Sequence, residues 1–346
     1  MTKRMRIVLL SAVAAVGVGL VLGCIAVFGL GITQENFEAR SETFEQDIVT
    51  IHAELDSGDV KLYRTQSDEI QVLYYDNENH YFTVEERNGV LAITRKSLPW
   101  YQDPAGWIQL GGREYDVEIG VPEDFAGTLE IQSTAGSVQA EDIVCQGAQI
   151  SSTYGEITLE RVTSNGALTV TATAGNITLR EVASAGGAQV KNTAGNVYLT
   201  DMQCEAELEV GTTAGNVELN SVSALRGIQA TSSSGWVGGT GIVCEGNFSA
   251  SAYSGGVAFT DVRAEDIRAE TTSGDIQMWK LQGQSIRLQA AAGNIDGSVT
   301  DGRENYTITS YTASGNNDVA PGSSNGEKIL ELNATSGNLR FSFNDR

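Results

Sequence analysis

Thr173-Ala-Gly175-Asn-Ile177-Thr-Leu179, Thr193-Ala-Gly195-Asn-Val197-Tyr-Leu199 and Thr213-Ala-Gly215-Asn-Val217-Glu-Leu219 are three copies of one phrase, set twenty residues apart. Outward from them, the phrase recurs around Gly136, Gly155, Gly235, Gly255, Gly274 and Gly293 at steps of 19 or 20 residues. Looser copies follow at Gly315 and Gly337, each after a step of 22. A short fixed period is the mark of a solenoid.

Aligned on the glycine, the columns separate by chemistry. Two residues after it stand Val138, Ile157, Ile177, Val197 and Val217; four after it stand Leu159, Leu179, Leu199 and Leu219. Seven after it stand Val162, Val182, Met202 and Val222, and five before it stand Ile150, Val170, Val190 and Val210. Apolar residues two apart are the strand period, with one side facing inward. One coil cannot bury that side alone, but stacked coils can, with equivalent residues about 4.8 Å apart. The expected fold is all-β: a parallel β-solenoid (β-helix) of coils of about 20 residues, preceded by one N-terminal transmembrane helix. Helical repeats are longer, about 33 residues or more, and lack this weight of β-branched residues. Asn176, Asn196, Asn216, Asn294, Asn316 and Asn338 follow the glycine. Asparagine suits a corner, and stacked copies can bond one another.

The chain carries 44 acidic against 22 basic residues, a formal charge of −22. Nucleic acid is excluded as a partner, because phosphate binding needs Lys and Arg. Lys3, Arg4 and Arg6 precede an uncharged run from Ile7 to Gln34. Residues 7–32 are long enough to cross a bilayer, and the basic flank places the N-terminus in the cytoplasm. A cell-membrane, single-pass protein with an extracellular solenoid is the expectation. A cleaved signal peptide is the competing reading, although its apolar core is shorter, about 7–15 residues. Val21-Leu22-Gly23-Cys24 also loosely resembles a lipobox.

Cys145, Cys204 and Cys244 share the column nine residues after the glycine, with Ser164, Ser184, Ala224 and Ala264. Coils two or three apart put them beyond the reach of a disulfide, about 7 Å between Cα atoms. They are read as small, half-buried residues with free thiols. The expected organisation is a cytoplasmic stub and anchor over 1–32, a stalk over 33–47, irregular β coils with a cap over 48–127, and the regular solenoid over 128–346.

No catalytic, cofactor or metal residues are assigned. His52 and His80 lie in no triad-like or metal-like spacing, and no Walker loop, HExxH or CxxC is present. Asp142, Glu181, Asp201 and Asp261 share the column six after the glycine, but Arg161, Ser221 and Gly241 interrupt it. That column reads as a solvated acidic face rather than a carboxylate cleft. Leu98-Pro99-Trp100-Tyr101 to Trp107 is a proline-marked loop. It is read as a cap over the first coils or as a contact for sugar or protein. Trp236 replaces asparagine in its corner and is expected to project outward. Trp100, Tyr101, Trp107 and Trp236 are therefore the candidate ligand contacts.

Ser57-Gly58-Asp59-Val60, the strand Val117-Glu-Ile119-Gly-Val121-Pro122 and the run Leu129 to Val138 that opens the repeats carry a likeness. Over roughly 48–346 the chain resembles the bacterial DUF4097 family, also labelled adhesins. The resemblance implies a surface-exposed β-solenoid, with some members linked to envelope stress, and brings no catalytic residues. The reading is a membrane-anchored, non-catalytic binding or scaffold module, with a cell-envelope glycan or surface protein as partner and no cofactor. An envelope-stress component and a carbohydrate-active β-helix enzyme are the alternatives.

Overall fold

In the computed structural model the described residues are 37–45, 47–77, 80–97, 116–319 and 326–344. Strands form two sheets, one of 18 strands and one of 14, and in the repeats each coil contributes to both. The coil around Gly175 shows the plan. Leu168–Ala174 lies in the 14-stranded sheet, and the chain turns at Gly175 and Asn176. Ile177–Arg180 and the two-residue strand Ala183–Ser184 then lie in the larger sheet. The next coil pairs with it in parallel and residue for residue: Val170 with Val190, Ile177 with Val197, Leu179 with Leu199.

Leu168, Val170, Ile177, Leu179 and Val182 are buried and join one continuous core running the length of the stack. This is the fold the repeat period predicts. The shift of phase between the fourth and seventh residues after the glycine has a backbone cause. Asp142, Arg161, Glu181, Asp201, Ser221 and Asp261 all have left-handed φ, between 52° and 61°. A left-handed residue breaks the strand alternation, so residues five and six after the glycine both face out and the seventh turns in again. What this column shares is therefore a conformation. Asp occurs there because short polar side chains tolerate that backbone best.

The corner glycines are held by close approach. A Cβ on Gly195 would lie 2.1 Å from the carbonyl oxygen of Gly175, and one on Gly215 would lie 2.1 Å from that of Gly195. Their φ values, 140° and 147°, also belong to glycine. The Gly175, Gly195 and Gly215 carbonyls accept buried side-chain hydrogen bonds from the next coil: Asn192 Nδ2 (2.7 Å), Thr212 Oγ1 (3.0 Å) and Ser232 Oγ (2.8 Å). The asparagines act across coils too. Asn176 Oδ1 accepts the Asn196 backbone N–H at 3.0 Å, and Asn196 Oδ1 accepts that of Asn216 at 2.9 Å. Side chain to backbone, rather than side chain to side chain, is the main bond of this column.

At both ends the spatial order of coils departs from sequence order. Thr50–Leu55 sits between Thr128–Ala135 and Val90–Ser97, so the Gly58 coil adjoins the Gly136 coil and later residues lie beyond it. The outer layers turn antiparallel: His80–Arg87 on Val90–Ser97, Ile70–Asp76 on Val117–Pro122, and Glu38–Phe44 on Ile70–Asp76. Part of the stretch expected as a stalk is thus an edge strand. Arg95, its side chain 1% exposed, closes this end with a hydrogen bond of 2.7 Å to the Ser57 carbonyl and an ion pair to Asp116. At the other end Lys328–Ser336 inserts between Ser285–Ala292 and Tyr306–Ser314. The corners there stack in the order Gly293, Gly337, Gly315.

The expected localisation needs correction. Among the described residues no helix is long and apolar enough to cross a membrane. The helical turn described at Arg303–Asn305 has three residues. Residues 7–32, on which the single-pass anchor, the cytoplasmic N-terminus and the extracellular solenoid all rested, lie outside the described residues. That placement is withdrawn.

Two substitutions test the corner and the core. Gly195→Ala should lower stability by about 2–4 kcal/mol in urea denaturation, from a disfavoured φ and the contact with Gly175. Ala194→Ser, exposed and one residue away, should change it by less than about 0.5 kcal/mol. Val197→Asp should cost several kcal/mol by burying an unpaired carboxylate between Ile177 and Val217. Wild-type stability in Gly195→Ala would contradict the close approach.

Candidate functional site

The inward side chains are occupied with the core, so the side chains free to make contacts lie on the flanks. On the outer face of the 14-stranded sheet, Thr134, Thr153, Thr173, Thr193 and Thr213 form a row two residues before the glycines. Beside it, Glu209 accepts hydrogen bonds from Lys191 Nζ (2.9 Å) and Gln189 Nε2 (2.7 Å), and the Lys191 ammonium first of all holds its carboxyl below the usual carboxylate range. A shallow depression of about 410 Å³ lies along the adjoining corner. Gly186, Gly187, Ala167 and Ala206 open it, and Gln189, Glu209 and Arg226 flank it.

On the larger sheet, Arg161 gathers carboxylates. Its Nε donates to Asp142 Oδ1 at 2.7 Å, and its terminal nitrogens pair with Glu141 and Glu160. The guanidinium holds the Asp142 carboxyl low. A general acid for glycoside cleavage needs a carboxyl pushed up, so the shift runs against that role. His52 lies on the outer face with Nδ1 3.1 Å from Glu130.

Trp100, Tyr101 and Trp107 lie outside the described residues. Trp236 is described and stands on the outer side of the larger sheet, exposed as its corner position predicts. Its backbone N–H is bonded to Asn216 Oδ1 at 3.0 Å. Its ring lies back over the sheet, so that a Cβ on Gly238 would be 2.5 Å from the six-membered ring. The residue remains 37% exposed. Trp279, 40% exposed on the same face, was missed in the sequence because it stands in an outward column of polar and charged residues, among them Glu160, Arg180, Thr200, Asn220, Thr240 and Thr260. The only signal was a large aromatic in a row of otherwise polar or charged side chains.

Cys145, Cys204 and Cys244 are free and buried, as their shared column predicts. Their thiols donate to nearby carbonyls, Cys204 to Glu207 at 3.4 Å and Cys244 to Asn247 at 3.3 Å. Serine does the same job in this column: Ser184 Oγ donates to Gly187 O at 2.7 Å. Burial disfavours the thiolate and pushes the Cys145 thiol up to about 11.

A two-sheet parallel solenoid with its free side chains on the flanks is the class these features define. The family model of Toastrack DUF4097 matches residues 48–207 and 198–346, and the chain belongs to that family. No curated protein matches. Among solved structures, the chain is similar to a "putative cell adhesion protein" from Clostridium sporogenes, at 10% identity and a TM-score of 0.36. That match covers 53% of this chain and 99% of the other.

Thiol chemistry checks the column assignment. At pH 7.5 Cys145, Cys204 and Cys244 should resist alkylation in the native protein, since the reactive thiolate is suppressed. After unfolding without reductant, peptide mapping should find all three labelled. A linked pair among them would break the register.

Proposed function

We propose that this chain is a non-catalytic binding or scaffold module, adhesin-like in presenting a rigid β-solenoid flank to its partner. The observation that carries the reading is the in-register ladder. Outer-face side chains recur at the strand spacing on backbones fixed by both neighbours. Such an array loses little conformational entropy on binding, which favours recognition by an extended surface over a closed pocket. A glycan or a protein surface suits it, whereas the charge of −22 disfavours polyanions.

The test is binding without turnover. Purified full-length protein is passed over neutral and acidic polysaccharides and over an extract of the source cells, and the polysaccharides are assayed for new reducing ends. Retention with no reducing ends released is the expected result. Cleavage that depends on the protein would replace this reading with an enzymatic one.

A further inference from the structure

Trp236 and Trp279 stand on one face of the larger sheet, in coils two apart along the stack, about 10 Å at the strand spacing, and four residues apart along the strands, Trp236 one residue and Trp279 five residues after its glycine. Between them the floor is small and flat. Gly238 pairs with Ala258 in one column, and Thr240 pairs with Thr260 in the next, which leads to Trp279. Trp236 lies flat because Gly238 offers no side chain beneath it. The coil gives up core packing at the adjacent residue, where Gly239 takes the inward position held by Leu219 and Phe259 in its neighbours. Phe248 and Phe259, 5.0 Å apart edge to face, fill the interior there.

The floor is also uncharged, in a chain of formal charge −22. Along its two columns the nearest charged residues are Glu218 below and Asp296 above, and both are already bonded. Asn220 Nδ2 donates to Glu218 at 2.9 Å, and Arg340 Nε pairs with Asp296 at 2.6 Å. Asp261 and Lys280, exposed at the next position along the strands, flank the floor, so the uncharged surface is confined to these two columns.

We propose that the Trp236–Trp279 platform binds a neutral polysaccharide. This rests on the binding-module reading and assigns it a ligand class and a place. A pyranose ring has an apolar C–H face and a hydroxyl edge. The exposed indole faces suit the first, and the Thr240 and Thr260 hydroxyls suit the second. An extended sugar chain running obliquely across the floor, from the Trp236 ring over Gly238 to Trp279, can meet both rings. A protein partner needs more surface, about 800 Å² per side, than two rings and a small-residue floor supply.

The test uses full-length protein and cellulose, chitin, xylan and mannan, with alginate as the acidic comparison. Retention on at least one neutral polysaccharide, with a change in tryptophan fluorescence, is expected. Trp236→Ala and Trp279→Ala should each weaken it on the order of tenfold, and the double variant should abolish it. Tyr154→Ala, an exposed aromatic at a distant corner, should bind as wild type. Trp279 is exposed, so its variant should keep the wild-type melting temperature and decides the matter if Trp236→Ala fails to fold. Undiminished retention in the double variant would overturn the platform and leave the binding-module reading standing. Retention by no neutral polysaccharide, or by alginate alone, would also overturn the platform. Reducing ends released by the wild type would instead overturn the binding-module reading.

Discussion

Everything in this molecule depends on how closely one corner glycine approaches the next. The carbonyl of each lies where a Cβ of its neighbour would have to be, at 2.1 Å for Gly195 over Gly175. Only glycine permits that approach, and the approach is what lets the flanking strands reach hydrogen-bonding distance on both faces. Gly195 N–H donates to Ala214 O at 2.8 Å, and Val197 N–H to Asn216 O at 2.9 Å. The inward glycine carbonyl would be costly if unpaired. A buried Ser, Thr or Asn from the next coil satisfies it in many coils, so a polar column runs through an otherwise apolar core.

The same contact explains how the stack ends. A parallel stack leaves an open row of backbone groups at each end, a liability that proteins cover. At one end Thr50–Leu55 lies inside the later strands Val90–Ser97 and His80–Arg87, and at the other Lys328–Ser336 lies inside the earlier Tyr306–Ser314, so in both places chain from elsewhere in the sequence covers the coil. Arg95 and Asp116 seal one end beneath Gly58. At the other, Tyr306 is fully buried, and Lys328 bonds Asp301 at 2.6 Å.

Much of the solenoid was legible because a stacked coil repeats its constraints in each copy. Ile177, Val197 and Val217 are buried as their column predicts, and the three described cysteines are free. Other features leave no periodic trace. The swap of Gly315 and Gly337 is hidden because alignment identifies copies of a phrase but not which copies touch. The left-handed column looked acidic because Asp142, Asp201 and Asp261 tolerate that backbone, although Arg161 and Ser221 adopt it as well. The hydroxyls of Ser152, Thr212 and Ser232 read as ordinary polar positions, since their partners are backbone carbonyls in another coil. The Trp236–Trp279 platform depends on absences at Gly238 and Ala258, which mean nothing until the strands are placed side by side.

The most direct test of the glycine-set stack is cross-linking at its reordered end. Adjacent coils bring equivalent Cα atoms to about 4.8 Å, within disulfide reach, whereas coils two apart lie near 10 Å, beyond it. Three paired variants are oxidised under mild conditions and mapped by mass spectrometry: Asn294→Cys with Asn338→Cys, Asn316→Cys with Asn338→Cys, and Asn294→Cys with Asn316→Cys. Bonds in the first two pairs and none in the third are predicted. A bond between positions 294 and 316, with none between 294 and 338, would show coils stacked in simple sequence order and contradict the account.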